Sequence, residues 1–160
     1  TAFIAFLATS ITRDEVEWKW TNGDSQGAIT LLNYKIDYLK NLREAGWIIE
    51  LITLYTLKMN NDTVRQNTLN YYNKLVERKV YGDAFLDLYL GKGFVLWSAN
   101  EIEVAIRTFE LKLQDVYEAD GLTFQEHIKL KYNYYVEQGI QFPDQKYNWK
   151  RIKKLKPLNE

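Results

Sequence analysis

The sequence of 160 residues contains no cysteine and a single histidine, His127. The lack of cysteine excludes disulfide bonds, thiolate nucleophiles and cysteine-ligated zinc, and it favours a reducing compartment. A single imidazole also excludes metal sites built from several histidines. His127 is therefore the one residue that a catalytic relay of the Ser/His/Asp type could use.

The sequence also lacks a long hydrophobic run. No segment reaches the roughly 20 apolar residues that a membrane-spanning helix needs. The N-terminal stretch TAFIAFLATSIT has no basic residue before its apolar part, as a secretion signal would have. We therefore expect a soluble, cytoplasmic protein with no transmembrane segment.

What the sequence does contain is the composition of an ordinary globular protein, with 46% hydrophobic and 15% aromatic residues. A chain of this length and apolar content can bury one core of its own. No internal repeat, linker or low-complexity segment interrupts it. We predict a single globular α/β domain over residues 1–145, followed by a basic, aromatic C-terminal segment, residues 146–160, that is a helix or a tail.

An alternating pattern near the N-terminus predicts a β-hairpin. In the stretch EVEWKWT (15–21), Val16, Trp18 and Trp20 fall on one face of a strand, and charged residues fall on the other. The stretch AFIAFLAT (2–9) supplies the second strand. We therefore expect the two tryptophans to pack inward.

Two further apolar segments are predicted to be strands. WIIELITLYTL (47–57) is dense in β-branched and aromatic residues and follows Gly46, which is typical of a central strand. FVLW (94–97) follows two glycines and is assigned to a short strand. Periodicity does not decide between a helix and a strand for DAFLDLYL (83–90).

Helices are predicted where apolar residues recur at three- and four-residue steps. One such helix runs from Gly27 to Ala45 and ends at Gly46. A second is capped by Asn61 and reaches about Lys79.

Two more helices are predicted from capping boxes, in which a serine or threonine is followed three residues later by a glutamate. The pairs are Ser98 with Glu101 and Thr123 with Glu126, and the helices that they open reach about Ala119 and Gly139. The order of all these elements along the chain predicts an α/β or α+β fold with an N-terminal β-hairpin, alternating helices and strands, and a helical C-terminal third.

The net charge is zero, but the charge is unevenly distributed. Residues 146–156 contain six basic residues and no acidic one, whereas residues 1–145 contain the other 15 basic residues and 20 of the 21 acidic ones. A body with a charge of about −5 thus carries a segment with a charge of +6. In a helix, Trp149, Ile152 and Leu155 would form an apolar stripe bordered by these cations.

The charge segregation leads to the first functional hypothesis, a small non-catalytic binding or assembly protein that needs no cofactor. Its C-terminal segment would contact nucleic acid or an acidic protein partner, and the interleaved aromatic residues favour nucleic acid. The competing interpretation is a terminal helix that closes the core while its lysines are only solvated. The predicted binding residues are Lys146, Tyr147, Trp149, Lys150, Arg151, Lys153, Lys154 and Lys156.

A second hypothesis is a nuclease that depends on a divalent metal. Glu17 and Lys19 have the Glu-x-Lys spacing of such enzymes, with Asp14 upstream and Glu50 on the next predicted strand. Asp14 and Glu17 would hold Mg²⁺ or Mn²⁺ to activate water, while the lysine stabilises the charge that develops on the phosphate. The pattern has low specificity, because the solvent face of a strand often alternates charges in the same way.

A third hypothesis is a structural subunit of a larger assembly, which would form oligomers and need neither nucleic acid nor metal. Tyrosine is enriched at protein interfaces, and the stretches 70–73 and 130–139 are rich in it. Gly91-Lys92-Gly93 lacks the Gly-Lys-Ser/Thr ending of a phosphate-binding loop and predicts no such site.

Overall fold

Every element of regular secondary structure that the structure describes in this chain is a helix. A computed structural model gives residues 10–38 and 45–157, and these contain no strand, only one isolated antiparallel bridge between Val116 and Thr123. The helices, in chain order, are α1 (Arg13–Thr21), α2 (Ser25–Tyr38), α3 (Gly46–Met59), α4 (Asp62–Glu77), α5 (Asp83–Ser98), α6 (Ile102–Glu110), α7 (Phe124–Glu137) and α8 (Gln145–Lys153).

The predicted N-terminal β-hairpin is wrong for residues 15–21, which lie in α1. The side chain of Thr12 caps this helix by accepting a hydrogen bond from the backbone N–H of Glu15 at 3.2 Å. The acidic residues of the first turn also complement the positive end of the helix dipole. The other predicted strand, residues 2–9, lies outside the described residues.

The two tryptophans of this segment do not both pack inward, because alternate residues do not share a face in a helix. Val16 is fully buried, whereas Trp18 is 66% exposed. Trp20 is half-buried and stacks on Tyr55 of α3, with the ring centroids 4.1 Å apart.

The strands predicted at 47–57 and 94–97 are also wrong, since these residues lie in α3 and α5. Nine of the 14 residues of α3 and ten of the 16 residues of α5 are buried. A helix covered on all sides carries apolar residues all round, so its 3.6-residue periodicity disappears and its sequence resembles a buried strand. Residues 83–90, which periodicity left undecided, belong to α5. Over the described residues the fold class is therefore all-α, and not α/β or α+β.

Helix boundaries near the middle of the chain follow the sequence in part. The prediction that Asn61 caps a helix is confirmed, because its side-chain oxygen accepts from the backbone N–H of Val64 at 3.1 Å. The helix predicted from Gly27 to Ala45 corresponds to α2, which begins at Ser25 and is described as far as Tyr38. Gly46 begins α3 and does not end the preceding helix.

One of the two predicted capping boxes exists. Thr123 and Glu126 form it at the start of α7. The backbone N–H of Glu126 donates to the Thr123 hydroxyl at 3.1 Å, and the backbone N–H of Thr123 donates to the Glu126 carboxylate at 3.2 Å. The prediction for Ser98 and Glu101 is wrong, because α5 extends to Ser98 and the side chain of Glu101 makes no capping hydrogen bond. The helix that follows, α6, ends at Glu110 and does not reach residue 119.

Two glycines in α5 set the distance between this helix and its neighbours, which include α3, α4, α6 and α7. A Cβ atom on Gly91 would lie 2.5 Å from the Oγ1 atom of Thr53 in α3 and 2.9 Å from the hydroxyl of Tyr72 in α4. A Cβ atom on Gly93 would collide with the ring of Phe109 in α6. These glycines therefore serve helix packing.

Gly91→Ala is expected to lower the free energy of unfolding by about 1–3 kcal/mol, because the added methyl group overpacks the junction. On an exposed helix the same change would raise stability by about 1 kcal/mol. Chemical denaturation followed by circular dichroism measures the difference. Lys92→Ala, at the half-exposed position between the glycines, is the control and should stay within about 0.5 kcal/mol of the parent. A stabilised Gly91→Ala variant would contradict the tight packing.

Candidate functional site

The C-terminal helix α8 is packed against the rest of the chain. Ile152 is buried, and the half-buried Trp149 stacks on Tyr132 of α7 with ring centroids 3.8 Å apart. The side-chain amide of Asn148 donates to the carbonyl of Pro143 at 3.0 Å. The predicted apolar stripe of this segment is therefore used inside the molecule, and the charged face is what remains outside.

A column of aromatic rings joins α8 to the core. Trp97 of α5 is fully buried, stacks on Phe142 with the centroids 4.3 Å apart, and donates its indole N–H to the carbonyl of Pro143 at 2.9 Å. Tyr132 lies nearly parallel to both Trp97 and Trp149. Each such pair contributes about 0.5–1.5 kcal/mol beyond the burial of its area. The position of Trp149 is thus fixed by rings anchored in the core.

An open depression of about 500 Å³ lies beside Trp149, and we call it the basic depression. Its lining residues are Tyr132, Gln145, Lys146, Trp149, Lys150 and Lys153. The three lysines are spaced by four and three residues, so they lie on one face of α8. They are exposed, and within the described residues their side chains form no ion pair or hydrogen bond.

Among the other predicted binding residues, Arg151 is the one with an acidic partner. Its guanidinium lies 2.8 Å from a carboxylate oxygen of Glu103 and 5.9 Å from the centre of the Tyr147 ring. Tyr147 is 67% exposed, and Lys154 and Lys156 are also exposed without an ion pair in the described part of the chain. The carboxylates that the structure describes therefore leave most of the positive charge of this segment unneutralised.

The residues of the nuclease hypothesis lie in separate places. Glu17 and Lys19 are two residues apart on a helix, and such residues do not face each other. Glu17 pairs with Arg13 at 2.8 Å, Lys19 and Asp14 line one open depression, and Glu50 lines another. Among the described residues, no group of three or more acidic or histidine side chains could hold a metal ion.

A larger cleft of about 560 Å³, which we call the acidic cleft, lies among α1, α3, α5, α7 and the loop before α7. Four of its lining residues are carboxylates: Glu50, Asp83, Asp87 and Asp120. The other polar lining residues are Arg13, Lys131, His127 and the tyrosines 117, 134 and 135, and the apolar ones are Leu51, Leu54, Ala119 and Leu130. Of these residues, Glu50 belongs to the nuclease hypothesis, and His127 is the single imidazole that a catalytic relay could use.

Most of the charged groups of the acidic cleft already have partners. The Nζ atom of Lys131 lies 3.6 Å from the Oε1 atom of Glu50, and Arg13 pairs with Glu17 at 2.8 Å. Asp83 accepts hydrogen bonds from two backbone N–H groups of the loop before α7, at 2.8 and 3.0 Å. Neither basic side chain of the cleft is therefore free to bind an anion.

His127 and Asp120 form a second polar contact at the rim of the cleft. The Nε2 atom of His127 lies 2.8 Å from the Oδ2 atom of Asp120, which makes an ion pair when the imidazole is protonated. The contact is off the direction of a regular hydrogen bond. The imidazole also packs on the ring of Tyr117, with centroids 3.8 Å apart.

Asp87, like Asp83, has no described lysine or arginine within ion-pair distance, and it lacks the backbone N–H donors that Asp83 has. Burial raises its pKa to about 7, with a further increase from Glu50 and a smaller one from Asp83. Lys131 and Tyr117 act in the opposite direction. The carboxyl group is therefore protonated in part at neutral pH.

Tyr117 lies beside Asp87 in the acidic cleft. Its side chain is 4% exposed, and burial, followed by the charge of Asp87, raises the pKa of its hydroxyl. The hydroxyl and the carboxylate are close enough to shift each other's pKa, since Tyr117 lowers the pKa of Asp87 and Asp87 raises that of Tyr117.

One helical pattern could have indicated the acidic cleft. On α7, His127, Leu130, Lys131, Tyr134 and Tyr135 recur at steps of three and four and so share a face that lines the cleft. The remaining lining residues come from α1, α3, α5 and a loop that are distant in sequence. No local pattern connects them, because only the tertiary packing brings these segments together.

Comparisons with protein-family models, with curated proteins and with solved structures found no match to this chain. Among the described helices, none combines the length and the apolar character needed to cross a bilayer.

Ile152→Ala is expected to lower the free energy of unfolding by about 2–5 kcal/mol, because it leaves a cavity under α8. Tyr147→Ala, on the exposed face of the same helix, is the control and should change stability by less than about 0.5 kcal/mol. Thermal and chemical unfolding measure both. Equal, small effects would mean that α8 is not part of the cooperative unit.

Asp87→Asn is expected to become more stabilising as the pH rises from about 4 to 7. The folded protein retains the Asp87 proton up to its raised pKa of about 7, while the unfolded chain releases it near the ordinary aspartate pKa of 3.8, so wild-type stability falls across this window. The amide of the variant does not titrate, so at neutral pH the free energy of unfolding of Asp87→Asn should exceed that of the parent by about 2–4 kcal/mol. Denaturation curves at several pH values test this, with the exposed Asp37→Asn as control. The same pH trend in the control would contradict the assignment to Asp87.

Proposed function

We propose that the protein is a small, non-catalytic binding protein whose basic depression binds single-stranded nucleic acid. The observation that carries the proposal is the combination of exposed, unpaired lysines with an anchored tryptophan: Lys146, Lys150 and Lys153 lie around Trp149. An acidic protein surface is the competing partner, and the experiment below separates the two.

The first step of the proposed recognition is electrostatic. Lysines that neutralise phosphates release condensed counterions, and this release supplies much of the affinity of sequence-independent binding. The lysines of α8 are free to do so because within the described residues only Arg151 of this segment is engaged by a carboxylate. The rest of the chain has a charge of about −5 and repels a polyanion, which would confine binding to this end.

The second step is stacking. Trp149 borders the depression while one of its neighbours, Tyr132, holds the indole in place, and Tyr147 offers a further exposed ring. Stacking of a base on such a ring contributes about 1–3 kcal/mol and requires unpaired bases. A polyglutamate surface would gain from the lysines but not from the rings, so the aromatic residues favour a nucleic acid single strand.

The other hypotheses have less support. No observation in the described residues favours the nuclease, because Asp14, Glu17, Lys19 and Glu50 do not converge. Assembly as a structural subunit stays a separate prediction. A cytoplasmic location, expected from the absence of cysteine, is part of the present proposal.

The triple variant Lys146→Gln, Lys150→Gln and Lys153→Gln is expected to bind a labelled oligothymidylate more weakly than the parent. The slope of log K against log salt concentration should fall by roughly two, because each phosphate contact of a single strand contributes about 0.7. Fluorescence anisotropy at several salt concentrations measures both quantities. Deletion of the whole segment is a poorer test, because Ile152 and Trp149 are packed against the core.

The matched control replaces three exposed lysines elsewhere, Lys58, Lys74 and Lys79, with glutamine, so that net charge changes equally. An equal loss in this control would overturn the assignment to the basic depression. If the protein binds polyglutamate at least as tightly as the oligothymidylate, the partner is an acidic protein surface and not nucleic acid. If duplex DNA binds as tightly as the single-stranded oligothymidylate, unpaired bases do not stack on Trp149 as proposed.

A further inference from the structure

We propose that a groove between α2 and α4 binds a neutral sugar ring, with the side-chain amides of Gln26 and Asn67 as its direct contacts. The groove has a volume of about 420 Å³, and we call it the amide groove. Its lining includes Gln26, Asn33, Asn67 and Tyr71 from the two helices and Met59 from the end of α3. None of its described lining residues also lines the basic depression or the acidic cleft, so the proposal does not depend on the function proposed for α8.

The walls of the amide groove are faces of two helices that both pack against α3. On α4, Asn67 and Tyr71 are four residues apart and so lie on one face. On α2, Gln26, Ile29 and Asn33 are spaced by three and four residues and also share a face. Helices position a site more precisely than loops do. The volume of the groove lies within the range of roughly 300–1,000 Å³ that is usual for small-molecule sites.

The amide groove carries no charge of its own. Among the described residues that line it, none is an aspartate, glutamate, lysine, arginine or histidine. Its tyrosine, Tyr71, stays neutral, because burial, followed by the charge of Asp37, raises the pKa of its hydroxyl. A charged ligand would lose part of its hydration here without meeting a group of opposite charge. The lining therefore favours an uncharged ligand.

The hydrogen-bonding groups of the groove favour a polar ligand over an apolar one. Some of them are engaged within the protein, since Asn61 caps α4 and the hydroxyl of Thr68 pairs with that of a threonine in α3 at 2.7 Å. The side-chain amides of Gln26, Asn33 and Asn67 form no hydrogen bond within the described residues. An apolar ligand would displace water from these amides and leave them unpaired, which is unfavourable.

A sugar ring matches both kinds of group that the lining offers. An amide side chain has donors on its nitrogen and an acceptor oxygen, and a hydroxyl both donates and accepts. Two neighbouring hydroxyls of a sugar can therefore pair with one amide in both directions. The C–H groups of the ring can pack on Met59 and Val64, which are half-buried, and the unbranched methionine adapts to an irregular shape.

The experiment follows the methyl signal of Met59 by NMR. Met59 is the single methionine of the chain and lines the groove, so its signal is assigned without ambiguity. The probes are the methyl glycosides of glucose, galactose, mannose and N-acetylglucosamine. We expect a saturable shift with at least one of them. The corresponding uronate, the corresponding amino sugar, cyclohexanol and N-methylacetamide should give much smaller shifts, because they add a charge or lack neighbouring hydroxyls.

The variants test the two contacts. Gln26→Ala and Asn67→Ala are each expected to weaken binding of the glycoside by about two- to tenfold, the usual strength of one hydrogen bond. Gln66→Ala, which removes an exposed amide of α4 outside the groove, is the matched control and should bind as the parent does. Thermal melting confirms that each variant is folded.

Several results would overturn the proposal. The first is the lack of a saturable shift with all four glycosides. Shifts of equal size with cyclohexanol or N-methylacetamide would show that neighbouring hydroxyls are not recognised, and tighter binding of the uronate or the amino sugar would show that the groove does not select a neutral ligand. Unchanged binding by Gln26→Ala or by Asn67→Ala, or an equal loss in Gln66→Ala, would remove the proposed contacts.

Discussion

The close approach of α5 to α3 and α4 at Gly91 is the constraint on which the other features depend. Thr53 donates its hydroxyl to the carbonyl of Ile49 at 2.7 Å and accepts the hydroxyl of Tyr72, so a polar pair is satisfied inside an apolar core. There is room for this pair only because residue 91 has no side chain. Burial raises the pKa of Tyr72, and the phenol therefore stays neutral and serves as a hydrogen-bonding group alone.

Both candidate sites are positioned by the two ends of α5. At its N-terminal end Asp87 reaches the acidic cleft and lies beside Gly46, where even a methyl group would come within 3.2 Å of the carboxylate. At its C-terminal end Trp97 holds Phe142 and the carbonyl of Pro143, and through them the start of α8. A change that shifted α5 along its axis would therefore alter the cleft and the basic depression together.

The features that the sequence predicted correctly are local. The caps at Asn61 and Thr123 depend on side chains within three residues of the helix start, so spacing alone reveals them. The strand predictions at 47–57 and 94–97 failed because complete burial removes the contrast between faces that periodicity needs. The positive charge of the C-terminal segment was visible in the sequence, whereas its aromatic anchoring and the acidic cleft depend on contacts between distant helices.

Two oppositely charged surfaces coexist in this chain because α7 stands between them. Lys131 faces the acidic cleft and lies near Glu50, while the next residue, Tyr132, lies about 100° further round the helix and stacks under Trp149. The aromatic column of Trp97, Tyr132 and Trp149 therefore lies on a different face of α7 from the lysine that faces the cleft. Within the described residues none of the lysines of α8 pairs with a cleft carboxylate, so each surface keeps the sign of its own charges.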